Sequence, residues 1–172
     1  MPFEELQLRF YGDPVLRRKA GQVDTFDASL ARRAETMFEI MYENDGIGLA
    51  GNQVGLLSRL IVLDVSVDDD HRVRMALCNP RILARKGEDV AEEGCLSIPD
   101  VRADVTRPDV LTVEAEGLDG KIIKFEADGL LARAIQHEID HLDGVLFIDR
   151  LSAMRRKMLE GRLKEIVREH SS

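Results

Sequence analysis

Residues 135–144 read IQHEIDHLDG, and the HEIDH within them sets two histidines four apart with a glutamate after the first. On a helix that spacing stacks His137 and His141 on one face, able to grip one metal ion, with Glu138 beside them. Asp128 is a natural cap and Gly144 a natural stop, so a helix is expected over residues 129–142. Leu130, Leu131, Ala134, Ile135, Ile139 and Leu142 give that helix an apolar face. The two histidines fall at one edge of it, in line with Leu130 and Ala134, so they should project into a partly buried cleft. Arg133, Gln136 and Asp140 are expected on the solvent side.

The rest of the chain must cover this helix. GDPVLRRKA reads as a turn and short helix, with Asp13 as cap and Pro14 at the first helical position. Residues 27–44 read as a helix capped by Asp27, with Leu30, Ala34, Met37, Phe38 and Met41 at helical spacing. DGIGLAGNQVG follows as a glycine-rich loop, and no Lys-Ser/Thr follows to make it a phosphate loop. RLIVLDV, VRMALCNP, DVLTVEAEG and KIIKFEA then read as strands, the last two joined by a hairpin turn at GLDG. A final amphipathic helix is expected over about residues 152–169, with Met154, Met158, Leu163, Ile166 and Val167 inward. Strands grouped between helices point to an α+β fold, with antiparallel or mixed sheets packed around the HExxH helix and a helix at the C-terminal end.

The 172 residues suit one domain, 1–172, with 150–172 as its basic C-terminal helix. The composition, 44% hydrophobic and 33% charged, fits a globular chain. The first residues, MPFEELQLRF, have neither an apolar signal core nor a transit-peptide composition, and the cytoplasm, most simply the bacterial cytosol, is the expected compartment. No apolar run reaches the ~20 residues of a membrane span. A net charge of −8 argues against DNA binding, although residues 150–172 carry seven Lys/Arg against three Glu. Two cysteines make no disulfide framework. Cys78 lies in a strand-like run and reads as core, and His71, in a polar turn, reads as solvated.

Two imidazoles need a third ligand. Zinc peptidases of the HExxH type take a His or Glu downstream, but downstream stand only His170, next to the end, and no glutamate before Glu160. Upstream, EEGCLSIPD places Cys95 after a glycine and before a proline-bounded turn, a good position from which to close a Cys-His-His site. Three protein ligands leave a fourth position for water, the layout of a catalytic site. An HExxH peptidase and a non-catalytic metal-binding module are the competing readings.

Together, GIGLAGNQVG, EEGCLSIP and QHEIDHLDGVLF resemble the peptide deformylase family, and the likeness runs from DPVLR to the last helix. Many members read GIGLAAPQVG in the first block. Here Gly51 and Asn52 replace the Ala-Pro pair, adding backbone freedom and removing a fixed φ, while Gln53 is present. The resemblance implies a hydrolase that removes the formyl group from the N-terminal formylmethionine of nascent polypeptides and releases formate. It implies Cys95, His137 and His141 as metal ligands and Glu138 as the proton-transfer group. The Gln53 side chain and the Leu96 backbone N–H would stabilise the oxyanion. The peptide would lie extended between Ile47–Gly48 and the segment near Gly94, with its methionine in a pocket formed by Ile47, Leu130 and Ala134 and Arg133 near the rim. Soft thiolate and borderline imidazoles suit zinc or ferrous iron. The family implies Fe(II) in the cell, with zinc, nickel or cobalt able to take the site in a purified sample. The basic last helix is expected to dock on the ribosome.

Overall fold

A computed structural model describes residues 5–171; residues 1–4 and 172, at the two ends of the expected domain, lie outside the described part. Helix α1 (Ala28–Glu43) starts where Asp27 accepts a hydrogen bond from the Leu30 N–H, and it buries the five apolar residues its spacing marks. Helix α2 (Gly129–Leu142) matches the expected span, with Asp128 at the cap position, although the Asp128 side chain makes no capping bond. Helix α3 (Ala153–His170) is capped by Ser152. Pro14–Arg17 form a short 3₁₀ turn with Asp13 bonded to the Val15 N–H.

Five strands form one antiparallel sheet in the order β1-β2-β3-β6-β7: β1 (Gly48–Ala50), β2 (Leu60–Ser66), β3 (Arg72–Lys86), β6 (Val110–Glu116) and β7 (Ile122–Asp128). Strand β2 is covered on both faces, which is why RLIVLDV reads as nearly unbroken apolar sequence. Leu60 and Val62 meet α1 residues, whereas Ile61, Leu63 and Val65 meet Leu131, Ala132 and Ile135 of α2. The β6–β7 hairpin turns at Gly117–Gly120, as GLDG suggests.

A second, two-stranded sheet pairs β4 (Asp89–Cys95) with β5 (Ile98–Arg107). Neither strand was expected, nor was β1. In β1, three residues carry two glycine-flanked apolar positions, too few to set a period. Strand β4 carries three acidic residues in seven and buries only Glu93, so it lacks the apolar alternation that marks a strand. The β4–β5 pair packs on Leu146, Phe147 and Ile148 and on the second half of α3. Leu163 and Ile166 are buried and Leu159 packs partly against the same core, while Met154, Met158 and Val167, expected inward, are exposed. Among the described residues the first turns of α3, residues 153–158, are exposed.

The solvent-side assignment on α2 is also corrected. Arg133 and Gln136 are buried, and Asp140 is largely covered. The β4–β5 sheet lies over that face, and charged partners there, not apolar ones, satisfy the helix.

Candidate active site

The turn between β4 and β5 carries Cys95 to α2. Its Sγ lies 3.3 Å from His141 Nε2, which lies 3.2 Å from His137 Nε2. The three donor atoms all fall within 4.8 Å of one another. Ligands of one ion at bond lengths of about 2.0–2.3 Å sit roughly 3.3–3.8 Å apart when tetrahedral. One thiolate and two imidazoles at these separations fit a single divalent cation with one position left open.

The orientation of His137 is set from behind. Its Nδ1 lies 3.0 Å from Glu93 Oε1. Glu93 also accepts bonds from Arg107 (Nε 2.5 Å, Nη2 2.9 Å) and from Arg133 Nη1 at 2.6 Å. Burial works to raise the Glu93 pKa, but Arg107 and His137 outweigh it and hold the carboxyl at about 2. An ionised Glu93 can only accept, so His137 carries a proton on Nδ1 and turns Nε2 toward the site. Burial likewise disfavours the imidazolium of His137, yet Glu138, Cys95 and Glu93 push its pKa well up. His141 is fully buried, and burial followed by the charge of His137 drives its pKa well down, which favours the neutral ring.

Glu138 is buried, and one carboxylate oxygen, Oε1, has no hydrogen-bond partner among the described residues. Burial raises its pKa to about 7. The carboxyl is pressed against β1: a Cβ built on Gly48 would stand 2.6 Å from Glu138 Oε2. Gly48 is therefore a close-approach glycine, which admits the carboxyl to the site.

Gln53 lies in the 3₁₀ turn Gly51–Val54 and is 1% exposed. Its Oε1 accepts from the Ala50 N–H at 3.0 Å, and its Nε2 lies 3.2 Å from Ser97 Oγ and 3.4 Å from Cys95 Sγ. With the oxygen held by the backbone, the amide's donors must face the thiol side. Gly51, Asn52, Gln53 and Val54 of this turn are all buried.

One cavity of about 630 Å³ joins these groups. Ile47, Gly48, Gln53, Gly94, Cys95, Leu96, Leu130, Arg133, Ala134, His137 and Glu138 all line it. Each site residue expected from the sequence is thus at one place, with His141 fully buried beside Cys95 and His137. Arg133 does not stand as a charged rim. Its guanidinium is turned inward to Glu93, Asp89 and the Val105 carbonyl, so only the flank of the side chain meets the cavity.

Sequence reasoning missed Glu93, Ser97 and Arg107. Glu93 lies two residues before Cys95 on one strand, so the two side chains share a face; that alternation was the available signal. It carries weight only once β4 is recognised as a strand.

A profile of the polypeptide deformylase family matches residues 6–157. The chain is 46% identical over 158 residues to a peptide deformylase of Acidobacterium capsulatum, covering 92% of this chain and 93% of the relative. It is also 46% identical over 160 residues to that of Chromobacterium violaceum, covering 93% and 95%. Among solved structures, a plant peptide deformylase superposes with a TM-score of 0.91 at 35% identity, covering 99% of this chain and 94% of that one. A peptide deformylase of Synechococcus elongatus in complex with actinonin gives 0.82 at 42% identity, covering 95% and 86%. With its three motif blocks gathered at one cavity and this likeness along nearly its whole length, the chain belongs to the polypeptide deformylase family and removes the N-formyl group from nascent polypeptides.

Proposed function

We propose that residues 1–172 act as one catalytic unit whose chemistry is divided among Cys95, His137, His141, Glu138, Gln53 and Leu96. The carrying observation is the convergence of Cys95 Sγ, His137 Nε2 and His141 Nε2, with Glu138 lining the same cavity. A divalent ion held by those three donors would supply Lewis acidity, lowering the pKa of water there from 15.7 to about 7. Fe(II) is the ion proposed in the cell, with zinc, nickel or cobalt able to replace it on purification; one soft and two borderline donors support this range.

Glu138 takes the proton of the attacking water. The water oxygen bonds to the formyl carbon, and the C–N bond breaks. Glu138 returns the proton to the departing amine nitrogen, leaving formate and a free N-terminus. A carboxyl whose pKa lies at about 7 can serve in both directions near neutrality. Gln53 Nε2 and the Leu96 N–H donate to the carbonyl oxygen as it gains charge, and a single such donor is typically worth about 2.7–4 kcal/mol in the barrier.

The N-formylmethionyl peptide is proposed to lie extended between the edge strand β1, at Ile47–Gly48, and Gly94 of β4. Backbone pairing there would tolerate any downstream sequence. Ile47 and Leu130, both partly exposed, and buried Ala134 would hold the methionine side chain. The compartment proposed is the bacterial cytosol. Docking on ribosomal phosphates is assigned to the exposed start of α3, where Arg155, Arg156 and Lys157 stand beside Met154 and Met158. Triple charge reversal at those basic residues, not truncation, tests it, because Leu163 and Ile166 are core. Loss of salt-sensitive ribosome co-sedimentation, with unchanged turnover of a free peptide, is expected; unchanged co-sedimentation refutes the docking role.

The mechanism is tested with Glu138→Gln on formyl-Met-Ala. Retained metal with turnover reduced by about 10²–10⁴ is expected for a lost acid–base group. Unchanged turnover would exclude the proton-transfer role.

A further inference from the structure

We propose that Asn52 is a positioning residue for deformylation, holding the turn that presents Gln53 through one buried hydrogen bond to the N-terminal segment. The proposal rests on the reading of Gln53 as an oxyanion donor.

Asn52 is 0% exposed, and its Nδ2 donates to the Arg18 carbonyl at 2.7 Å. Its Oδ1 has no partner among the described residues. The amide orientation follows from that one contact, because the reverse would set two acceptor oxygens face to face. An asparagine buried with its oxygen unmatched is there for its donor.

What that donor holds is the residue next in sequence. Gln53 is fixed at its own backbone carbonyl, which accepts from the Arg9 N–H at 2.7 Å, and at Oε1, which accepts from Ala50. The Gln53 side chain also reaches Ser97 Oγ through Nε2 at 3.2 Å. Asn52 adds a tie at the neighbouring residue, to the Arg18 carbonyl of the N-terminal segment. The N-terminal segment that provides Arg9 and Arg18 also bonds Ser97, through the Tyr11 N–H at 2.8 Å, and the end of α2, through Ala20 N–H to the Leu142 carbonyl at 2.8 Å. It therefore registers the Gln53 turn, the Cys95 turn and the histidine helix against one another.

Gly51 completes the arrangement. A Cβ there would stand 2.6 Å from the Leu56 carbonyl oxygen and 2.7 Å from that of Ser58. Both are backbone atoms, so the turn is pressed against residues 56–58 on one side and tied to Arg18 on the other. Close packing at Gly51 and the Asn52 hydrogen bond hold the turn without a fixed φ.

The test is a double-mutant cycle on the metal-loaded enzyme with formyl-Met-Ala. Metal content and thermal unfolding are read alongside kcat and KM for wild type, Asn52→Ala, Gln53→Ala and the double variant. Asn52→Leu, close in shape, uncharged and without the donor, runs in parallel and carries the test should the alanine variant fail to fold. A fall in kcat of tenfold or more at Asn52 is expected, with KM within twofold and metal content unchanged. In the Gln53→Ala background the same substitution should change kcat by less than twofold. Equal losses in both backgrounds, or an unchanged kcat at Asn52, would overturn the proposal while leaving Gln53 in place. An unaffected Gln53→Ala would instead sink the oxyanion reading itself, and the positioning role with it.

Discussion

Glu93→Gln removes one charge from the most densely bonded carboxylate beside the site and leaves the shape intact. Glu93 is 5% exposed and faces Arg107, Arg133 and His137. Two independent routes give the cost. Depression of its pKa from 4.5 to about 2, at 1.36 kcal/mol per unit, corresponds to about 3 kcal/mol of stability at neutral pH. Removing one partner of a buried ion pair typically costs about 3–5 kcal/mol. The low end applies, because Arg107 keeps Asp140 at 3.0 Å and Arg133 keeps the Asp89 and Val105 carbonyls at 2.8 Å. A loss of about 3 kcal/mol is therefore expected in urea unfolding of chelator-stripped protein at pH 7. Metal affinity, measured by competition with a chromogenic chelator, should fall about 10–100-fold as the His137 ring loses its orienting acceptor. A stability loss under about 1 kcal/mol together with unchanged affinity would refute the argument, and would mean that the two arginines are satisfied without the carboxylate.

Gly48→Ala should cost turnover more than stability, since the added methyl meets the Glu138 carboxyl at 2.6 Å, not the core; kcat on formyl-Met-Ala is expected to drop by more than about tenfold, by analogy with a displaced acid–base group, and a wild-type kcat would show that Glu138 can act from elsewhere. Cys78 is fully buried, and burial, helped by Glu116, raises its thiol pKa to about 11. A raised folded-state value means that its contribution is fully present below the unfolded thiol pKa, near 8.5, and is lost as pH climbs toward 11. In native, chelator-stripped protein at pH 8, mass spectrometry after iodoacetamide should therefore find label on Cys95 and none on Cys78; prompt labelling of Cys78 would contradict its burial.

The helices were legible because their signals are local. Asp27 and Ser152 cap the helices they precede, and the period of Leu30 to Met41 marks the buried face of α1. The His137 and His141 pair was legible for the same reason on α2, where i, i+4 spacing is itself the geometry. Strand β5 did carry a signal that went unread, since Val101, Ala103 and Val105 alternate with polar residues and are buried; β4 did not, because its one buried side chain, Glu93, is satisfied by charge, meeting Arg107, Arg133 and His137. A residue type that normally marks solvent is buried here, and no rule of composition separates the two cases. The same blindness placed Arg133 on the wet side of α2. At α3 the error runs the other way: Met154 and Met158 have the helical period of a core face, but among the described residues both stand exposed.

The central claim is that one sulfur and two imidazole nitrogens bind a single catalytic cation. X-ray absorption on anaerobically purified enzyme tests it most directly. The account predicts one sulfur scatterer at about 2.3 Å and nitrogen or oxygen scatterers at about 2.0–2.2 Å, with the sulfur shell lost in Cys95→Ser. A coordination shell without sulfur in the active wild-type enzyme would contradict it.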